Sequence, residues 1–223
     1  MLEILYEDNH LLVISKPVGV ATMGLPENEV TLLTLAREYI KQKYNKPGNV
    51  YLGVVSRLDV PVSGVVLFAR TSKAADRINE QFRSREVKKE YIALVEGVTP
   101  TEMECNDWLI EDERHRSVHV TKPNTPNAKE AILLFERIKL LGNNSLIKIN
   151  LKTGRKHQIR VQLSTRGYPI LGDRKYGAKT EIASGITLHA QKLTIQHPTK
   201  EETITITAPI PKFWGKYGVI GEY

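Results

Sequence analysis

The sequence predicts an α+β fold: a mixed, largely antiparallel sheet with a few flanking helices. Three observations carry this prediction. Strand-like runs outnumber helical ones, the helical runs come singly between strands, and the connections are short Gly-, Pro-, Asn- and Asp-bearing turns. No internal repeat, low-complexity tract or long linker interrupts residues 1–223, so one continuous domain is expected.

The elements follow in order. Leu2 to Tyr6 and Leu11 to Ser15 read as two short strands joined by a Glu-Asp-Asn-His turn, and Lys16-Pro17-Val18-Gly19 ends the second. Thr31 can cap a helix running to about Tyr44, with Leu32, Leu35, Ala36, Tyr39 and Ile40 on one face, and Pro47-Gly48-Asn49 closes it. Ser63 to Arg70 is a near-continuous apolar run, as a strand buried on both faces would be. Ser72 then caps a helix to about Arg85 with Ala74, Ala75, Ile78 and Phe82 as its buried stripe. Tyr91 opens a strand to Val95, and Met103 to Leu151 reads as a series of antiparallel strands separated by polar turns. Arg155 to Thr165 is predicted helical, with Gly167 as its left-handed C-terminal stop. Gly185 to Ile195 and Thr203 to Thr207 complete the set as strands.

Composition narrows the function classes. At 41% apolar and 26% charged residues the chain has the balance of a soluble globular protein. Thirty-two Lys and Arg against twenty-five Asp and Glu leave a net charge of +7, which favours a polyanionic partner such as nucleic acid. Cys105 is the only cysteine, so an intrachain disulfide and a Cys-rich zinc site are excluded, which suits a reducing cytosol. The N-terminal stretch is acidic and lacks the basic and apolar regions of a secretory signal, and no apolar run approaches the roughly 18 residues of a membrane span. A cytoplasmic location without membrane contact is expected.

The stretch Ser56-Arg57-Leu58-Asp59-Val60-Pro61-Val62-Ser63-Gly64 holds the chemistry-bearing pattern. A carboxylate sits beside an arginine on a Pro/Gly-punctuated turn that feeds an apolar strand, which aims Asp59 off a rigid element as a nucleophile or general base requires. The same residues also suit a solvated surface turn. Two basic clusters stand out: Arg83 to Lys89, containing Lys88 and Lys89, and Arg155-Lys156-His157 leading into Arg160. Cations at a helix N-terminus oppose its dipole, a conflict that a bound phosphate would resolve; the alternative is a solvated basic face. Tyr91 reads either as a half-buried strand aromatic or as a stacking face for a base. His157 and His189 lack the spacing of a metal pair, and no nucleophile elbow, P-loop or dinucleotide fingerprint is present, so neither a metal nor a nucleotide cofactor is implied.

Taken together, these stretches resemble the RluA-type pseudouridine synthases. The resemblance rests on the Ser56–Gly64 block, which matches the family's His-Arg-Leu-Asp-x-x-Thr-Ser-Gly, and on Lys89-Glu90-Tyr91-Ile92-Ala93-Leu94-Val95, Thr153 to Val161, Gly167 to Asp173, Leu188-His189-Ala190 and His197-Pro198. It implies the pseudouridine synthase core as a single catalytic domain over 1–223, acting without cofactor or metal on uridines in ribosomal or transfer RNA; with no exposed apolar stripe that demands a partner, the fold fits a monomer. By carry-over Asp59 is the catalytic carboxylate, Arg160 its ion-pair partner and Tyr91 the residue that stacks on uracil and helps remove the C5 proton. Arg57 fills the space of the flipped nucleotide, while Lys88, Lys89, Arg155, Lys156 and His157 bind substrate. Ser56 and Val62 stand where the family usually has His and Thr. The chain also starts straight into the core, leaving no room for the S4-like domain of some relatives, so recognition is expected from the core itself. Two other readings compete: a non-catalytic RNA-binding protein with the synthase fold, and a two-carboxylate glycosidase using Asp59 and Asp173.

Overall fold

A computed structural model describes residues 2–24 and 29–221. Its strands and helices alternate as an α+β chain in which every strand pair with a resolved register is antiparallel. The chain divides into two compact units, Met1–Lys88 with Ala190–Pro211, and Lys89–His189 with Lys212–Tyr223. Met1, Glu222 and Tyr223, the ends of the expected single domain, lie outside the described residues.

In the first unit, β1 (Glu3–Glu7) and β2 (Leu11–Lys16) form the predicted hairpin. Its turn is tied by Asp8, whose carboxylate accepts the N–H groups of His10 and Leu11, each at 2.8 Å. After α1 (Leu32–Lys43) and the short β3 (Gly53–Val54) comes β4 (Ser63–Ala69), which pairs with β2 and is buried at every residue. Both of its faces are covered because side chains alternate along a strand. Val65 and Leu67 join Leu11, Val13 and Ile78 of α2 (Ser72–Arg83) on one side. Val66 and Phe68 join Leu12, Ile14, Leu32, Ala36 and Ile40 on the other. β10 (Leu188–Gln196) lies next to β4, and β11 (Thr203–Thr207) pairs with β10.

Four expectations for the first two helices change. Leu35 is exposed and Leu33 takes its place in the core of α1. Thr71, not Ser72, caps α2, because its extended backbone puts its hydroxyl 3.2 Å from the Ala74 N–H; the helix ends at Arg83, not Arg85, and Phe82 is only partly buried. Thr31 caps α1 as predicted, in a reciprocal capping box with Thr34.

The second unit is an antiparallel sheet with strand order β5-β9-β8-β6-β7, namely β5 (Lys88–Glu96), β6 (Glu102–Asp112), β7 (Ser117–Thr121), β8 (Lys129–Leu141) and β9 (Asn144–Leu151). Tyr91 therefore sits inside β5 rather than opening it. On this sheet lies α3 (Gln158–Thr165), with Val161 packed against Leu109, Val118 and Ala131. Gly167, at φ 83°, ends it as predicted: the N–H groups of Gly167 and Tyr168 bond to the carbonyls of Ser164 and Leu163 at 2.9 and 3.0 Å. Its start differs from expectation. Helical backbone begins at Gln158, so Arg155 and Lys156 precede the helix rather than forming its first turn. The predicted strand from Gly185 likewise begins only at Leu188.

Candidate active site

Asp59 lies on the loop between β3 and β4, partly buried, as the first residue of a tight turn in which the Val62 N–H bonds to its carbonyl at 3.0 Å. The residues on either side of it are clamped by the segment that follows β2. Thr22 Oγ1 donates to the Leu58 carbonyl at 3.0 Å and accepts the Leu58 N–H at 3.2 Å. Beyond Asp59, the Val60 carbonyl accepts from the Gly19 N–H at 2.9 Å and from Lys16 Nζ at 3.2 Å. Gly19 serves this contact from a left-handed backbone, φ 82°, that a larger residue would resist. The carboxylate thus hangs from a backbone fixed on both sides.

Lys16 is the floor of this arrangement. Its side chain is fully buried, and Nζ also donates to the carbonyls of Pro17 at 2.9 Å and Val20 at 2.7 Å. Burial pulls the ammonium down to a pKa of about 8, while the negative charge of Asp59 pulls the other way. Arg57, beside Asp59, is exposed. Both departures from the family pattern are absorbed by packing: Ser56 Oγ accepts the Leu67 N–H of β4 at 2.8 Å, and Val62 is buried. Lys88 is exposed at the end of this unit.

The other predicted residues belong to the second unit. Tyr91 is half-buried in β5, opposite Ile149 of β9. Lys89 reaches the turn before α3, where Nζ donates to the Thr153 carbonyl at 3.2 Å. Arg155 donates Nε to the Glu130 carbonyl at 2.8 Å, and Lys156 pairs in the open with Glu111 at 3.0 Å. Arg160 is buried, with Nε 2.7 Å from Asp173 Oδ2 and Nη2 2.9 Å from Oδ1. That bidentate pair occupies both oxygens of Asp173, which removes the carboxyl the glycosidase reading needs as a general acid. His157 meets Tyr176, its Nδ1 2.7 Å from the phenol oxygen.

The basic helix expected to grip phosphates is instead mostly interior. Gln158, Arg160 and Gln162 are buried on α3, and Arg166 is engaged by Asp107 at 2.8 Å. Gln158 and Gln162 are chained at 3.1 Å, and Gln162 reaches the carbonyls of Cys105 and Ala131 at 3.2 and 3.0 Å. Polar side chains so placed satisfy one another and the sheet backbone. Among the described residues no three His, Cys, Asp or Glu side chains are grouped to hold a metal ion, and no helix is long and apolar enough to cross a membrane.

Sequence reasoning missed Lys16, Thr22 and Tyr176. Lys16 carried a readable signal: in Leu-Leu-Val-Ile-Ser-Lys it falls on the same strand face as Leu12 and Ile14, an inward-pointing cation. Thr22 and Tyr176 had none, because their partners, Leu58, and Val118 and His157, are remote in sequence.

The comparisons with known proteins agree with this architecture. The family model for RNA pseudouridylate synthase matches residues 10–165. A dual-specificity RNA pseudouridine synthase RluA from Haemophilus influenzae is 38% identical over 213 residues, covering 93% of this chain and 92% of that protein. A ribosomal large subunit pseudouridine synthase C from Buchnera aphidicola is 35% identical over 219 residues, and there the chain spans 66% of the relative's length. Among solved structures, human RNA pseudouridylate synthase domain containing 4 superposes with a TM-score of 0.81 at 24% identity, over 96% of this chain and 91% of that one, a likeness of fold. Human RNA pseudouridylate synthase domain containing 1 gives 0.75 at 25% identity, over 94% and 83%. On the extent of the family match and of the Haemophilus alignment, the chain belongs to the RNA pseudouridylate synthases, a family of RNA-directed isomerases of the RluA type.

Proposed function

We propose that this protein isomerises uridine to pseudouridine in ribosomal or transfer RNA, with Asp59 as the catalytic carboxylate. The observation that supports it most is the clamp around Asp59, in which Thr22, Gly19 and Lys16 fix the peptide groups on both sides of one partly exposed carboxylate. Chemistry at a sugar carbon needs that fixity, since a misplacement of about 1 Å can cost on the order of a hundredfold in rate. In the reaction the N1–C1′ bond breaks, the uracil turns in the site, C5 bonds to C1′, and the C5 proton leaves to solvent while N1 gains one. Atoms balance without an oxidant or cofactor.

Arg160 is assigned to hold Asp59 ionised and oriented, Tyr91 to stack on the uracil and help remove the C5 proton, and Arg57 to enter the gap left by the extruded nucleotide. Extrusion costs a few kcal/mol, which phosphate contacts elsewhere must offset. The exposed Lys88 and Lys156 are the best placed for that, with Lys89, Arg155 and His157 shaping the surface near them. The protein is taken to act as a single-domain monomer in the cytoplasm. Because Ser56 and Val62 are absorbed by packing, they no longer favour a non-catalytic RNA binder.

The test is release of tritium as water from C5-tritiated bulk tRNA and rRNA. Wild type is expected to release it and Asp59→Asn to bind RNA without release. Release by both proteins, or by neither, overturns the assignment.

A further inference from the structure

His157 has a left-handed backbone, φ 51°, at the start of α3, and no side-chain cap bond relieves it. A residue with a β-carbon keeps that conformation only where its surroundings hold it, and such sites cluster around function. Here the holder is Tyr176. The two rings meet edge to face at 5.6 Å and 82°, and the tyrosine hydroxyl lies 2.7 Å from His157 Nδ1. That hydroxyl also accepts the Val118 N–H at 3.0 Å, so the ring is held through its oxygen by a second partner.

The face of the Tyr176 ring lies 5.0 Å from the guanidinium carbon of Arg160. Asp173, which binds the Nε–Nη2 edge of the same guanidinium, heads the 3₁₀ turn Arg174–Tyr176, and the Tyr176 N–H bonds back to the Asp173 carbonyl at 3.0 Å. One short turn therefore supplies both the counter-ion and the aromatic face. A carboxylate alone lets the guanidinium hinge about the hydrogen-bonded edge; a ring whose face attracts the cation restricts that motion. Burying such a pair is a poor way to gain stability, so its orientation is the property that accounts for it.

We propose that Tyr176 is a positioning residue of the uridine isomerase, fixing the plane of the Arg160 guanidinium, with His157 and the Val118 amide as the anchors of its ring. This rests on the reading of Arg160 as part of the reacting site.

The test is a double-mutant cycle in single-turnover tritium release, with RNA affinity measured in parallel. Tyr176→Phe keeps the ring but loses both hydroxyl anchors and is expected to slow release less than Tyr176→Leu, which slows it by roughly ten- to a hundredfold with little change in affinity. In an Arg160→Lys background the same leucine change is expected to cost less than about threefold, because the two residues act as a unit. Tyr176→Met runs alongside, so that a misfolded leucine variant does not decide the matter. The Nε–H resonance of Arg160, read by NMR without RNA, is expected to shift and exchange faster in the leucine or methionine variant. Equal costs in both backgrounds, a loss confined to RNA affinity, or an unmoved Arg160 resonance overturns the positioning role. A wild type that releases no tritium overturns the isomerase reading itself, and the inference with it.

Discussion

Lys16→Met removes the floor under Asp59 while keeping the apolar stem. The ammonium serves three backbone carbonyls, those of Pro17, Val20 and Val60, from a fully buried position. Each charge-assisted bond contributes about 1.5–3 kcal/mol net. Against that stands the burial penalty: a pKa lowered from 10.5 to about 8 corresponds to roughly 3 kcal/mol that methionine does not incur. The difference leaves a destabilisation of about 1.5–6 kcal/mol near pH 7. Its pH dependence is the sharper signature. Because the folded value lies below the unfolded one, the unfolded chain holds more protons between about pH 8 and 10.5, so wild-type stability rises with pH there. Methionine cannot titrate, so the stability gap between the two proteins should widen across that interval by up to about 3 kcal/mol. Urea unfolding followed by far-UV circular dichroism at pH 7, 8, 9 and 10 measures it, and single-turnover tritium release should fall with the loss of the Val60 clamp. A gap that stays flat from pH 8 to 10, or one smaller than about 0.5 kcal/mol throughout, refutes the reasoning.

Four other perturbations have defined outcomes. Gly64 sits at φ 121° with an added β-carbon only 2.2 Å from the Ala190 carbonyl oxygen, so Gly64→Ala should fail to fold or lose more than about 4 kcal/mol, read by soluble yield and thermal melting. At Asp8, burial would raise the carboxyl, but the amides of His10 and Leu11 and the side chains of His197 and Tyr6 outweigh it and bring it to about 2. Its stabilisation is therefore complete above the unfolded value near 4 and lost as pH falls toward 2. Asp8→Asn should abolish about 2 kcal/mol of that acid dependence in unfolding titrations. Removing Lys88 and Lys156 together should weaken RNA binding and flatten the log–log salt slope by about 2, measured by filter binding; Arg155→Ala should instead lower stability, because its Nε holds the Glu130 carbonyl.

What could be read in the sequence was what local pattern controls. The near-continuous apolar run at Ser63 to Ala69 announced a strand covered on both faces, and Thr31 and Gly167 marked helix ends through their own side-chain or backbone chemistry. The start of α3 was misplaced because Arg155 and Lys156 are good helix formers whose local preference is overruled by Gln158, whose Oε1 takes the Arg155 N–H and the Thr153 hydroxyl at 3.0 and 2.8 Å. Asp59 stood out through its turn, yet the groups that hold it, Lys16 and Thr22, reach it over 36 to 44 residues of chain. Periodicity reports which way a side chain faces and is silent on which distant carbonyl it will meet.

The split composition of the first unit bears on how the protein is made. Asp59 and its clamp are synthesised early, but the strand beside β4, which meets Gly64 through Ala190, follows about 120 residues later. At about 5–20 residues per second the ribosome takes on the order of 6–24 s to deliver it. During that interval the long apolar edge of β4 has no neighbour on that side, while Lys89–His189 emerges as an unbroken stretch able to begin its own strand pairing. Nascent chains stalled between these two points should therefore be the aggregation-prone species.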